Sequence, residues 1–302
     1  MTKYNAMMTK ISIVLFGFVI FTTQLIGQAN SIPAINQKEE YQLKSKINNK
    51  TYELFVSLPK YYSKTDTIKY PVLYLLDGNY TFPIAHSTRQ LLDFAGSLED
   101  LIIVGIGYNW EKSYEPWFTG RWNDLTPSAD KKSDTSGSFL TMLKLKTGSL
   151  TSGGAEQFMS LIKNEIIPFV GKNYKVNGDN GIEGHSFGGL FATYCLLQEP
   201  QLFNRYGINS PSLWWDNEKL FQMEKSFAEK NKKLNAQVFM TVGNREGESM
   251  LTPMTAFADS LKTHNYSGLI LTTQIFEDEG HFSVVPASIS RTLRTLYKVK
   301  RK

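Results

Sequence analysis

Residues 181–197 read Gly-Ile-Glu-Gly-His-Ser-Phe-Gly-Gly-Leu-Phe-Ala-Thr-Tyr-Cys-Leu-Leu, and this stretch decides the fold. It contains the pattern Gly-x-Ser-x-Gly with Ser186 at its centre, followed by a long apolar run. The pattern is typical of a sharp turn that joins a strand to a buried helix and exposes the serine. Glycines permit such a turn because they have no side chain to collide with the folded backbone. We therefore predict a strand at 181–183, a nucleophile at Ser186 and a buried helix from Phe187.

Other strands are predicted on both sides of this turn. Short apolar runs of the kind seen in parallel strands covered on both faces occur at 71–76, 101–106, 237–242 and 269–276. A helix with one apolar stripe is predicted at 155–170, and strands that alternate with helices imply a parallel sheet. Residues 41–47 and 51–58 predict an opening antiparallel hairpin. The predicted fold class is α/β, an α/β-hydrolase fold whose mostly parallel central sheet starts with that hairpin and carries helices on both faces.

The N-terminus has the layout of a secretory signal peptide. Residues 1–29 contain two lysines, then an apolar run at 11–21, then small or polar residues. The apolar run is short for a membrane span, which needs about 20 residues. We predict a periplasmic or secreted protein in which residues 30–302 form one domain without a membrane span. Residues 109–153, with three tryptophans and no regular periodicity, predict a long loop or cover inserted in that domain.

Composition excludes several classes of protein. The chain is 41% hydrophobic and 20% charged, which favours a globular core over a disordered chain. Its formal charge of +5 falls to +3 without residues 1–29, too little to indicate a nucleic-acid partner. Cys195 is the only cysteine, so no intramolecular disulfide can form, and its place in the buried helix predicts a packing role.

A serine nucleophile needs a base, and His281 is the best candidate among four histidines. It lies just beyond the last predicted strand, at the edge of the sheet where such sites form. It also follows Ser186 in the chain, as the order serine, acid, histidine of this fold requires. His86 precedes the serine, and His185 is expected to point away from the site.

The acid that orients the histidine is expected in the loop after the strand at 237–242. That loop contains Glu246 and Glu248, and Glu246 is the first choice. Asp278 is a further candidate, although its closeness to His281 in the sequence makes the usual geometry awkward.

An oxyanion requires two backbone N–H groups. Phe187, directly after the nucleophile, is predicted to supply the first. Gly78 or Asn79, in the loop after the strand at 71–76, is predicted to supply the second.

Several blocks together resemble the putative esterase family of α/β hydrolases, which includes siderophore esterases, feruloyl esterases and S-formylglutathione hydrolases. The blocks are PVLYLLDG, VGIGY, Arg121 with DLTP, SGGAEQF, GHSFGGLFA, NSPSLWWD and EGHFSVVP, and they extend from Pro71 to Pro286. Within the family, GHSFGGLFA and SPSLWWD are most similar to the esterases that open the trilactone of enterobactin or bacillibactin.

The resemblance implies the same nucleophile, Ser186, and the same base, His281. Some of these siderophore esterases work with a serine–histidine pair and no conventional carboxylate, so the role of Glu246 stays open. The resemblance also draws attention to Arg121, which either contacts an anionic or polyphenolic substrate or forms a structural salt bridge. Trp214 and Trp215 either form an aromatic wall for catechol or feruloyl rings or fill core volume.

The predicted function is ester hydrolysis through a seryl acyl-enzyme, with no cofactor and no metal. Its substrate is a small-molecule or glycan-linked ester: a siderophore lactone, or alternatively a feruloyl or acetyl ester on polysaccharide. Acyl transfer to a carbohydrate acceptor uses the same intermediate and stays open. A binding protein without turnover is a third class, which the combination of Ser186, His281 and the glycine-rich turn disfavours.

Overall fold

An eight-stranded sheet forms the centre of the structure, a computed structural model that describes residues 38–110, 113–142 and 144–299. The strands are β1 Lys38–Lys44, β2 Thr51–Ser57, β3 Tyr70–Leu75, β4 Ile102–Tyr108, β5 Val176–His185, β6 Arg205–Asn209, β7 Lys233–Gly243 and β8 Ser267–Phe276. Their order across the sheet is β1-β2-β4-β3-β5-β6-β7-β8. β2 is antiparallel to both of its neighbours, and the other adjacent pairs are parallel. The predicted mostly parallel sheet with an antiparallel N-terminal pair is confirmed.

Helices cover both faces of this sheet, as predicted. They are α1 Gly78–Phe94, α2 Glu115–Asp124, α3 Lys131–Asp134, α4 Gly137–Met142, α5 Ala155–Leu161, α6 Ile167–Asn173, α7 Phe187–Gln198, α8 Trp215–Lys230, α9 Glu248–Thr263 and α10 Val284–Leu296. Side chains of α1 and α10 form the core on one face, and those of α5, α7, α8 and α9 form the larger core on the other. β3 and β4 are buried along their whole length, which explains why they appear in the sequence as continuous apolar runs.

The helix predicted at 155–170 continues to Asn173 through a wider π-helical turn at Ile162–Ile166. Pro168 follows this turn and has no amide hydrogen to donate to the carbonyl one turn back. The π-helical turn therefore lies next to Pro168, which cannot donate the hydrogen bond of an ordinary α-helix.

Short helices occupy part of the segment at 109–153, where the sequence shows no regular periodicity. α2, α3 and α4 have ten, four and six residues. Helices of this length complete too few turns to produce a recognisable apolar stripe. α2 nevertheless buries Phe118, Arg121 and Trp122, so this part of the segment packs on the domain.

β5 is longer than the strand predicted at 181–183, because its first part is polar. Residues 177–180 are polar residues or glycine and are exposed or half-buried, so they carry no apolar signal. The predicted signal peptide lies outside the described residues. Within the described residues, no helix combines the length and the apolar content that a membrane span requires.

Candidate active site

The chain turns sharply at Ser186, between β5 and α7. The backbone of Ser186 has φ 61° and ψ −117°, a conformation that is costly for a residue with a side chain. A Cβ atom at Gly184 would collide with the backbone of Gly188, and one at Gly189 would lie 2.8 Å from the carbonyl oxygen of Asn209. The same carbonyl accepts a hydrogen bond from the Ser186 amide at 3.0 Å. The glycines of the motif therefore provide room for the backbone to hold the serine at the end of β5.

Ser186 heads a chain of hydrogen bonds that joins three loops. Its Oγ lies 3.0 Å from Nε2 of His281, in the turn between β8 and α10. The other ring nitrogen, Nδ1, lies 2.6 Å from Oε2 of Glu246, in the turn between β7 and α9. All three residues follow the carboxyl ends of parallel strands, which lie at one edge of the sheet. The arrangement can draw the serine proton towards the imidazole and balance the charge that results.

The carboxylate of Glu246 is held by more than the histidine. Its Oε1 accepts hydrogen bonds from the Ser210 hydroxyl at 2.6 Å and from the Gly243 amide at 2.7 Å. Burial raises the pKa of Glu246, but hydrogen bonds from His281, Ser210 and Gly243 outweigh burial and bring the pKa below its usual value. Glu246 is therefore ionised and fixed in position beneath the imidazole.

The two alternative acids lie elsewhere. Glu248 is the first residue of α9 and accepts a hydrogen bond from the Thr252 hydroxyl within the same helix. Asp278 is exposed and forms an ion pair with Arg245 at 2.6 Å. Of these three candidates, Glu246 is the one that the structure brings to His281.

The predicted oxyanion donors all lie at helix starts. Phe187 is the first residue of α7, Gly78 is the first residue of α1, and Asn79 follows it. The first amides of a helix have no partner within the helix, so they can bind an anionic oxygen. The side chain of Asn79 is already used, because it exchanges hydrogen bonds of 2.7 and 2.8 Å with the backbone of Tyr108. Only the backbone of Asn79 can serve as an oxyanion donor.

Ser186 and His281 open into a largely apolar cavity of about 580 Å³. Apart from the hydrogen-bonded residues, it is lined mainly by large apolar or aromatic side chains: Tyr80, Trp117, Phe118, Phe187, Trp214, Met250 and Phe282. Phe282 is 85% exposed and lies at the rim. The volume and the lining suit an organic molecule with apolar or aromatic groups.

Arg121 also lines this cavity, but its charge is already paired. Its Nε and Nη2 donate to the two carboxylate oxygens of Asp77 at 2.8 and 2.9 Å. The guanidinium also lies 5.3 Å from the ring centres of both Trp117 and Phe187. The salt bridge that the sequence left as one alternative is therefore present, and substrate contact by Arg121 stays a prediction.

The two adjacent tryptophans have different environments. Trp214 is half-buried and lines the cavity, as an aromatic wall requires. Trp215 is completely buried, and its Nε1 donates to the Ser128 carbonyl at 3.2 Å. It packs edge-on against Trp122 and Phe187. The wall prediction is wrong for Trp215, because its indole enters the core and contributes packing volume.

His185 is a neighbour of the site that the sequence argument placed wrongly. Its ring packs against the ring of His281 with centroids 4.6 Å apart, and it is 4% exposed. Neither ring nitrogen has a hydrogen-bond partner of normal geometry among the described residues. Burial lowers the pKa of His185 well below its usual range, and the charges of His281 and Arg121 lower it further. His185 is the last residue of β5, and the turn between β8 and α10 brings His281 against its ring, a contact that chain order does not indicate.

Glu183 is a neighbour of the turn that the sequence did not identify. It is fully buried in β5 and accepts a hydrogen bond from the side-chain amide of Asn209 at 2.8 Å. Asn209 is the residue whose carbonyl holds the Ser186 amide. Burial raises the pKa of Glu183 to about 8, although contacts with Thr292 and Asn209 favour the charged form. The carboxyl under the turn is therefore largely protonated at neutral pH.

The chain matches a family model over residues 45–143 and 146–272, and the model is that of the Esterase family, described as "Putative esterase". It is 28% identical to the ferri-bacillibactin esterase BesA of Bacillus subtilis, over 90% of this chain and 94% of that protein. It is 31% identical to the siderophore enterobactin esterase of Emericella nidulans, over 58% of each chain.

Two solved structures are also similar. The BES protein from Bacillus cereus shares 29% identity and a TM-score of 0.74, and the match covers 98% of this chain and 100% of that one. The IroE-like serine hydrolase from Shewanella oneidensis shares 28% identity and a TM-score of 0.72, and the match covers 85% of this chain and 79% of that one.

Protonation of Glu183 should make stability depend on pH. Because its folded-state pKa of about 8 exceeds the usual 4.5, the folded chain holds this proton over a range in which the unfolded chain has released it. The Glu183 contribution to the free energy of unfolding is therefore complete below about pH 4.5 and is lost as pH rises to about 8. We expect Glu183→Gln to remove this component, measured by urea denaturation across that range.

The difference in the free energy of unfolding between Glu183→Gln and the unmutated protein, taken at each pH, separates the contribution of Glu183 from that of His185, which both proteins contain. His185 has a lowered folded-state pKa, so it acts oppositely and costs stability as pH falls below about 6.5. Glu248→Gln, which removes an exposed carboxylate, is the matched control. An unchanged pH dependence in Glu183→Gln would contradict a protonated carboxyl.

Proposed function

Because the chain belongs to the Esterase family, we propose that it is an exported serine esterase that hydrolyses carboxylic esters through a seryl acyl-enzyme. The observation that carries the proposal is the hydrogen-bonded chain from Ser186 through His281 to Glu246, which opens into the aromatic cavity. The relative from Shewanella oneidensis, described as a serine hydrolase, supports the same chemistry.

In the proposed reaction, Nε2 of His281 accepts the proton of the Ser186 hydroxyl as Oγ attacks the ester carbonyl carbon. The negative oxygen of the tetrahedral intermediate is bound by the amide of Phe187 and by that of Gly78 or Asn79. His281 then donates its proton to the leaving alcohol. In the second half of the reaction, His281 accepts a proton from water as the water oxygen attacks the acyl-enzyme, and it then returns a proton to Ser186 as the carboxylic acid leaves. Glu246 stabilises the imidazolium in both halves of the reaction.

The proposed substrates are siderophore-type lactone esters. Relatives described as ferri-bacillibactin esterase and enterobactin esterase support this class. An aromatic cavity of about 580 Å³ supports a substrate with aromatic acyl groups. The same lining also suits a feruloyl ester, which is the second candidate. Export is supported by the signal-like layout of residues 1–29.

Product analysis against a small panel tests the proposed substrate class. The panel consists of a ferric trilactone, methyl ferulate, an acetylated xylan fragment and p-nitrophenyl acetate. We expect the highest kcat/KM for the trilactone. A higher kcat/KM for methyl ferulate would favour the second candidate, and a preference for the acetyl esters would reject the aromatic acyl group.

We expect Ser186→Ala and His281→Ala each to lower ester turnover by about 10³-fold or more, because the two residues act as one unit. For the same reason, the double variant should lose little more than either single variant. The measurement is kcat on an aryl ester, together with labelling by a fluorophosphonate, which requires an activated serine. A folded variant that kept near-normal turnover would remove that residue from the mechanism.

Glu246→Gln should lower kcat by about 10³ to 10⁴-fold with little loss of stability, because the amide no longer stabilises the imidazolium. Glu248→Gln, two residues further along the chain, is the matched control and should change kcat by less than about twofold. A loss of about tenfold or less in Glu246→Gln would indicate that a serine–histidine pair suffices.

The adjacent tryptophans should separate binding from stability. Trp214→Ala should raise KM for aromatic acyl esters by about tenfold and change the free energy of unfolding by less than about 1 kcal/mol. Trp215→Ala should lower that free energy by about 3–5 kcal/mol, because it empties a core site. The measurements are steady-state kinetics and urea denaturation. Equal destabilisation by both changes would contradict the separation.

A further inference from the structure

The outer edge of β8 lacks the features that usually protect the edge of a sheet. β8 pairs with β7 on one side, and no described strand pairs with it on the other. Its ten residues, Ser-Gly-Leu-Ile-Leu-Thr-Thr-Gln-Ile-Phe, include no charged residue and no proline. The unpaired N–H and C=O groups of such an edge are a template for another strand.

The opposite edge of the same sheet provides an internal comparison. β1 contains four charged side chains in seven residues: Lys38, Glu39, Glu40 and Lys44. Charges along an edge strand discourage pairing with another chain, because pairing would place them in contact and remove them from water. One edge of this sheet is therefore protected and the other is not.

The side chains of β8 are also suited to contact. Ile270 is 59% exposed and Ile275 is 44% exposed, although β-branched apolar residues in strands usually pack against a neighbour. Pairing along the free edge would cover part of this apolar surface. The gain would come from apolar contact in addition to the backbone hydrogen bonds.

The charges around β8 favour a second copy of this chain as the partner. Lys233, the first residue of β7, is the register partner of Ser267 and lies beside the start of β8. Glu277 and Glu279 follow its end. In an antiparallel pair related by a two-fold axis, the start of each strand lies beside the end of the other, so Lys233 of each copy would lie near the glutamates that follow β8 in the other copy.

We propose that two copies of the protein associate through antiparallel pairing of β8 with β8, which joins their two sheets into one continuous sheet. The contact is isologous, because the same ten residues serve both copies. The contact uses the outer side of β8, whereas the residues proposed for ester hydrolysis lie at the carboxyl ends of the parallel strands.

Analytical ultracentrifugation of the whole protein over about 1 to 100 μM tests the pairing. We expect a dimer that dissociates on dilution. The double substitution Ile270→Lys with Thr272→Lys places charges on the edge and should yield a monomer throughout that range. Ile68→Lys changes an isoleucine of similar exposure, 52%, outside β8, and should leave the dimer intact. Unchanged ester turnover in all three proteins shows that they are folded.

Hydrogen exchange in the unmutated protein is a second measurement that needs no substitution. The amides of residues 267–276 should exchange more slowly as protein concentration rises. A monomer across the whole range, a dimer that survives the double substitution, or exchange in β8 that is independent of concentration would each overturn the proposal. Protected β8 amides in a monomer would show that another segment of the same chain covers the edge.

Discussion

The backbone of Ser186 is the constraint on which the site depends. A conformation with φ 61° costs about 1–3 kcal/mol for a residue with a side chain, and it persists only where the surroundings over-determine it. Here a buried strand ends on one side, a helix buried almost all round begins on the other, and the Asn209 carbonyl holds the amide between them. The cooperative stability of the core holds the Ser186 hydroxyl beyond the end of the strand, and the turns that carry His281 and Glu246 reach it there.

The order of the strands brings distant parts of the chain to that hydroxyl. β5 lies near the middle of the sheet, and β7 and β8 lie two and three strands away on one side. Because these strands are parallel, the turns after them lie at the same edge, and the acid and the base approach the serine in a row. The carboxylate nearest the imidazole accepts three hydrogen bonds, so the negative charge required beneath the base is stabilised inside the protein. Under the turn, by contrast, Glu183 adopts its neutral form and adds no second negative charge.

The sequence predicted the parts of this arrangement that depend on local pattern and on chain order. Ser186 is identified by a turn motif, and His281 by its position after the last strand. Glu246 could not be separated from Glu248 and Asp278, because the choice depends on which carboxylate a tight turn directs towards the imidazole. Trp214 and Trp215 are identical residue types side by side, and only packing distinguishes the cavity residue from the core residue. His185 was misplaced because its contact with His281 depends on the path of the turn after β8, which the local sequence pattern does not reveal.

The pairing of Arg121 with Asp77 limits the electric field at the cavity. Arg121 makes two hydrogen bonds to the buried carboxylate of Asp77, so the opposite charges largely cancel outside the cavity. The pair therefore contributes little long-range attraction for an anionic ligand. For the same reason, the pair adds little to the dependence of ligand association on ionic strength. The guanidinium instead packs among the rings of Trp117 and Phe187, where its flat and weakly hydrated group is buried more easily than an ammonium would be.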